Sequence, residues 1–257
     1  MALDFNQKSF TKATDQVVID EGLRAYMLKV YNYMTTGLLL TGAIAYFFGK
    51  ASVYTNEFGE LVIAANGRPE YTGIGSLLFE TPLMWVIMFA PLGFVFYLSA
   101  KINKMSVSSA QITFWIFSAI MGLSLASIFI VYTQASIARV FFISSGTFAA
   151  MSLYGYTTKK DLTKLGGFLF MGLIGIIIAS LVNLFFQSSA LHFAISVIGV
   201  LVFVGLTAYD TQSIKNMYYA GDSESVGGKK ALMGALRLYL DFINLFIMLL
   251  RLFGQRR

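Results

Sequence analysis

Seven blocks of roughly twenty nearly uncharged residues, parted by polar stretches, leave this chain few structures to adopt. Twenty residues of helix rise ~30 Å, the thickness of a bilayer's hydrocarbon core. The blocks are Tyr31–Phe48, Pro82–Ala100, Ala110–Tyr132, Ile137–Tyr156, Gly167–Phe186, Ala190–Tyr209 and Ala231–Phe253. None alternates apolar and polar residues with period two, which excludes the strands of a membrane β-barrel and leaves helices. Composition agrees: 12% of the 257 residues are charged and 57% are hydrophobic, too little charge for the surface of a soluble domain. The sequence thus predicts an all-α integral membrane protein. It consists of a polar N-terminal segment, 1–30, and a seven-helix transmembrane domain, 31–257.

Lysine and arginine set the orientation. Lys8, Lys12, Arg24 and Lys29 precede the first block, and Lys101 and Lys104 follow the second. Lys159, Lys160 and Lys164 follow the fourth, and Lys215, Lys229 and Lys230 follow the sixth. The alternate side carries Lys50, Arg68 and Arg139, so the N-terminus is expected in the cytoplasm. No short apolar core or cleavage site suggests a signal peptide. Against the bias, a spanning last block places Arg251, Arg256 and Arg257 on the far side. Either that block spans regardless or it re-enters; its length favours spanning. The one long connection, Gly49–Thr81, contains Asn66-Gly67 between apolar residues, the pattern of a small hairpin. Its Glu57, Glu60, Glu70 and Glu80 suit either a solvated loop or the gathering of cations.

Several chemistries are excluded. Cysteine is absent, which removes thiol catalysis, disulfides and Cys-based zinc sites. One histidine, His192, at an expected helix end, leaves no cluster for a transition metal or for Ser-His catalysis. No cofactor is implied. The net charge of +6 is spread over segment ends, which fits topology and anionic headgroups and not nucleic acid.

The acids carry the functional signal. Of thirteen, eleven fall before the first block, in the long loop or in short connections. The two others are Asp210, in "GLTAYDTQSIK", and Asp241, in "LYLDFINLFIMLLRLF". Asp210 closes the sixth block, where it suits either a helix-end cap or a role at depth. Asp241 stands ten residues inside its block, ~15 Å by helix rise, and requires a partner or water. Arg237 is one turn before it and Asn244 nearly one turn after, a polar stripe that places the last helix at the bundle centre. Asn183, in the fifth block, is another isolated polar residue at depth. Two carboxylates held together in such a site share a proton and repel when both ionise; their oxygens are also hard ligands suited to Ca²⁺. Composition alone does not bring Asp210 and Asp241 into contact.

The two acid motifs resemble the C-terminal signature of the Bax inhibitor-1 (transmembrane Bax-inhibitor-motif) family. "SIFIVYTQASIA", "MSLYGYTTKKDL" and "SLVNLFFQSSAL" are similar to its bacterial YccA-like branch, and the likeness covers roughly Leu23 to Arg257. The resemblance implies a seven-helix bundle with the last helix enclosed, in a bacterial inner membrane. It implies that Asp210 and Asp241 form a hydrogen-bonded, pH-sensing gate in a calcium leak channel. It also implies a second class of role, a regulatory protein associated with a membrane-bound AAA protease. Family members with a characterised latch use an arginine near the end of the second helix. Here "YLSAKINKMS" offers only Lys101 and Lys104, point charges without a planar fork. Either Arg237 substitutes or gating differs. Membrane aspartyl proteases also pair two aspartates, but they carry Gly-rich motifs around the second acid, which "LYLDFINLF" lacks; no enzyme is expected.

Overall fold

The computed structural model describes residues 2–65 and 67–257, with side chains described from Glu21 onward. The N-terminal acids Asp4, Asp15 and Asp20 and the turn residue Asn66 therefore lie outside the described side chains. Nine α-helices are described: α1 (Ala2–Ala51), α2 (Gly73–Phe79), α3 (Leu83–Lys101), α4 (Val107–Leu125), α5 (Ile128–Val131), α6 (Gln134–Thr157), α7 (Thr163–Phe186), α8 (Ser189–Asn216) and α9 (Glu224–Phe253). A single 3₁₀ turn, Ile102–Lys104, extends α3. Among the described residues six helical stretches are long and apolar enough to cross a membrane, with α4 and α5 together forming one of them. α1 runs without a break at Tyr31, and its apolar part is diluted by Asn32, Thr35, Thr36 and Thr41.

Hydroxyl side chains start the helices. Ser106, Thr133, Ser188 and Ser223 each accept a backbone N–H from the first turn of α4, α6, α8 and α9. Between α4 and α5 the expected third block breaks at Ala126–Ser127, where the backbone shifts by one short turn. The expected hairpin is present in the long connection, as bridges pairing Val53 with Tyr71, Thr55 with Leu61 and Ile63 with Pro69. A further turn precedes it: Asn56 Oδ1 accepts from the Phe58 and Glu60 amides, and Gly59 takes φ 77°. Among the described residues no group of three acids or histidines gathers there.

α9 lies at the centre. It packs on α1, α4, α6 and α8, while α3 leans on α4 and α7 on α8. Of its most apolar window 72% is buried, against 11% for α3 and α7. Those outer helices present Trp85, Phe89, Phe168 and Phe185 outward, the apolar band of a lipid-facing surface. Because lipid tails are as apolar as the core, close packing and interhelical polar bonds must hold the bundle together. Phe114 and Phe117 of α4 stack edge-on around Tyr239, with ring centroids 5.9 and 5.2 Å away. Phe148 of α6 meets Phe242 at 5.6 Å. The Tyr239 hydroxyl donates to Thr41 Oγ1 at 2.6 Å, since the Thr41 proton is already given to the Ser118 carbonyl.

The two ends of the bundle are fixed by contacts. At one end Tyr26 of α1 packs on Tyr218, just past α8, at 5.6 Å. At the other, Tyr46 of α1 packs on Phe129 of α5, and the chain end pairs with the α5–α6 connection. There the Thr133 amide donates to the Gln255 carbonyl at 2.9 Å and the Arg257 amide to the Val131 carbonyl at 3.0 Å. α9 is one unbroken helix of 30 residues from the first end to the second, so the last block traverses the bundle and does not turn back. Arg256 and Arg257 consequently sit at the end opposite Tyr218.

Candidate functional site

α8 and α9 are antiparallel and bring the two aspartates together. α8 does not end at Tyr209 as the apolar count suggests; it continues to Asn216, so Asp210 is internal and not a helix cap. The extension has partners. Gln212 clamps the α6–α7 loop, accepting from the Leu162 amide at 2.9 Å and donating to the Lys160 carbonyl at 2.8 Å. Lys215 Nζ donates to the Tyr156 carbonyl at 2.8 Å and lies over that residue's ring. A polar segment unmarked by hydropathy is thereby held helical by tertiary bonds.

Asp210 and Asp241 are 6% and 5% exposed, and their carboxyl groups lie close enough to interact directly. Two carboxylates hydrogen-bond to each other only when one carries a proton. Among the described residues no amide or hydroxyl donates to Asp210 Oδ1 or Asp241 Oδ2, which leaves a proton on one of the acids as the means of satisfying them. The other orphaned buried polar atom among the described residues is the Tyr26 hydroxyl, and Arg237 lies within electrostatic reach of all three groups. By helix rise Asp210 lies six residues, about 9 Å, inside the end of α8.

The supporting residues divide. Arg237 is exposed and makes no ion pair with Asp241, whereas Lys230 of the same helix pairs with Asp222 at 2.6 Å. The i, i−4 spacing is right, but the long side chain carries its guanidinium outward and acts on the acids at a distance. Asn244 donates to the Leu240 carbonyl of its own helix at 2.8 Å and not to the acids. Asn183 is not at depth; its Oδ1 accepts from the Ser188 amide at 3.0 Å where α7 turns into α8. Lys101 and Lys104 are exposed at the end of α3, and neither reaches the aspartates. His192 occupies the first turn of α8, near Arg251 and Arg256.

A hydroxyl chain beside the pair escaped the sequence reading. Thr211 gives its proton to the Thr207 carbonyl at 2.7 Å, so Ser152 must donate to Thr211 at 3.0 Å and Tyr31 to Ser152 at 2.6 Å. The chain therefore has one direction, Tyr31 to Ser152 to Thr211, and ties α1 and α6 to α8 at the residue next to Asp210. Ser152 stands in "AAMSLYGY", where small residues suggest only close packing; its signal was the unbroken i, i+4 run of Ser144, Phe148 and Ser152 on the buried face of α6. A double-mutant cycle on Tyr31→Phe and Ser152→Ala should give a coupling energy of about 1 kcal/mol in thermal unfolding. Strict additivity would show that the hydroxyls do not interact.

Comparison with known proteins follows the same outline. A family profile described as inhibitor of apoptosis-promoting Bax1 matches residues 23–257. The chain is 49% identical over 250 residues to an uncharacterized protein of Rickettsia prowazekii, covering 97% of this chain and 98% of that one. It is 49% identical over 239 residues to the inner membrane protein YbhL of Escherichia coli, covering 92% and 94%. An uncharacterized protein of Caulobacter vibrioides is 41% identical over 263 residues, covering 99% of both chains.

Proposed function

The chain belongs to the Bax inhibitor-1 family, and from that membership and its buried acid pair we propose a pH-gated cation leak pathway, with Ca²⁺ the cation, in the inner membrane. The observation that carries the proposal is the pair of neighbouring carboxyls, buried on two packed helices. With the proton in place, the pair holds α8 against α9. Without it, two like charges face each other away from water, and the helices gain a reason to part or to admit a cation. Carboxylate oxygens are the donors that Ca²⁺ prefers, so the charge that opens the gate also attracts the ion. Arg237, at a distance from both acids, sets the potential around them and stands in place of a latch arginine on the second span.

The pathway runs through seven spans, with α1 the seventh, tied to the bundle by the Thr41–Tyr239 and Tyr31–Ser152 bonds. The Tyr218 end is cytoplasmic by its lysines. Since the chain has no cysteine, single cysteines report topology directly. Tyr219→Cys should react with a membrane-impermeant maleimide only from the cytoplasmic side and Gln255→Cys only from the opposite side. Labelling of both from one side would overturn the seven-span count. Calcium flux into proteoliposomes, measured across a pH series in the wild type and in Asp210→Asn and Asp241→Asn, tests the function itself.

A further inference from the structure

A second feature lies between α1 and α6, over Phe242 of α9. α1 and α6 both pack on α9 but do not close against each other, and a groove of ≈1010 Å³ opens between them. It continues past Gly42 and Phe141 into a further ≈420 Å³ bounded by α1, α5, α6, α9 and the end of α4. Phe242 floors both parts, and small residues on the walls, Gly42, Ala43, Ser145 and Ala149, make the room. Along α1 from Arg24 to Gly42 the groove runs about 27 Å by helix rise, most of the hydrocarbon thickness. Neither aspartate lines it.

We infer that this groove is a binding site for an anionic diacyl phospholipid, with acyl chain between α1 and α6 and phosphate at Arg24. The lining is mostly apolar, with scattered hydroxyls, and is charged only at the Tyr218 end, the distribution of a lipid and not of a water-filled vestibule. No carboxylate lines it. Arg24, exposed at the mouth, forms no ion pair among the described residues, and Lys215 is held at the same end over the Tyr156 ring. Two cations at headgroup depth are complementary to a phosphate. The groove also carries Tyr31 and Ser152 on its wall, so the lipid lies against the hydroxyl chain that ends beside Asp210.

The test is photo-crosslinking in phosphatidylcholine proteoliposomes doped with phosphatidylglycerol bearing a photoreactive tail, with adducts mapped by mass spectrometry. Adducts on groove residues such as Thr35 and Ser145 should exceed those on the lipid-facing residues of α3 and α7 about tenfold, a preference of ~1.4 kcal/mol. Gly42→Phe should abolish the excess, because a Cβ there meets open space and the ring fills the groove. Gly175→Phe, equally open but on α7, should leave it intact. Ala149→Trp fills the groove from the other wall, should Gly42→Phe fail to fold. Arg24→Gln should lower groove labelling by phosphatidylglycerol several-fold while leaving labelling by a photoreactive diacylglycerol, which lacks the phosphate, unchanged. Adducts distributed over all exposed helices, labelling that survives both filling variants, indifference to Arg24→Gln, or crosslinks from the groove to a second copy of the chain would each overturn the assignment.

Discussion

Asp241→Asn should leave the protein folded and reduce the pH dependence of calcium flux to less than about twofold. Two ionised carboxylates in contact, taken at ~4 Å and an effective dielectric of ~20, repel by about 4 kcal/mol, and each ~1.4 kcal/mol is worth tenfold in an equilibrium. Flux across a pH series should therefore change by well over tenfold as the pair gains or loses its proton. An asparagine keeps the shape and can donate its amide to Asp210, so the helix contact survives while the like-charge conflict does not. Asp210→Asn should behave in the same way, because the switch belongs to the pair and not to one residue. The double substitution should add nothing to either single one. A pH profile that persists in either single variant would remove the aspartates from the gate. Arg237→Gln should shift the profile along the pH axis without flattening it, since that side chain touches neither acid.

Gly155→Val should destabilise the bundle by about 3 kcal/mol, the upper part of the range for overpacking a close contact. A Cβ at this position in α6 would lie 2.2 Å from the Ala208 carbonyl oxygen of α8, and backbone cannot yield as a side-chain tip can. The helices would have to separate two residues from Asp210, at the level of the Ser152–Thr211 bond. For a chain of this size, ~3 kcal/mol corresponds to roughly 6–12 °C in apparent Tm, read in detergent by thermal unfolding. Gly146→Val, on the same helix with open space around its Cβ, should move Tm far less. Equal shifts in both would mean that α6 and α8 are not held together by that approach.

What the sequence disclosed follows from which constraints are local. A bilayer imposes length, so six of the seven apolar blocks marked helices long and apolar enough to cross a membrane, and the polar stripe of Arg237, Asp241 and Asn244 placed α9 inside. The continuation of α8 through Thr211 and Lys215 was hidden because hydropathy falls there while tertiary bonds from Gln212 and Lys215 hold the helix. Arg237 and Asn244 share a face with Asp241, but spacing does not say where a long side chain ends or whether an amide returns to its own backbone. Asn183 looked deep because the apolar run passes it by only three residues before α7 turns. The groove between α1 and α6 is non-local in the fullest sense: two helices far apart in sequence line it, and nothing in either announces that they stand apart.

The central claim is a shared proton between Asp210 and Asp241 whose loss changes the conductive state. Infrared difference spectroscopy of the reconstituted protein addresses it directly, between the pH of lowest and the pH of highest calcium flux. A protonated carboxylic C=O band should be present in the low-flux state, disappear in the high-flux state, and be missing from the difference spectra of both Asp210→Asn and Asp241→Asn. A band of equal strength at the two pH values, or one that survives in either variant, would contradict the account.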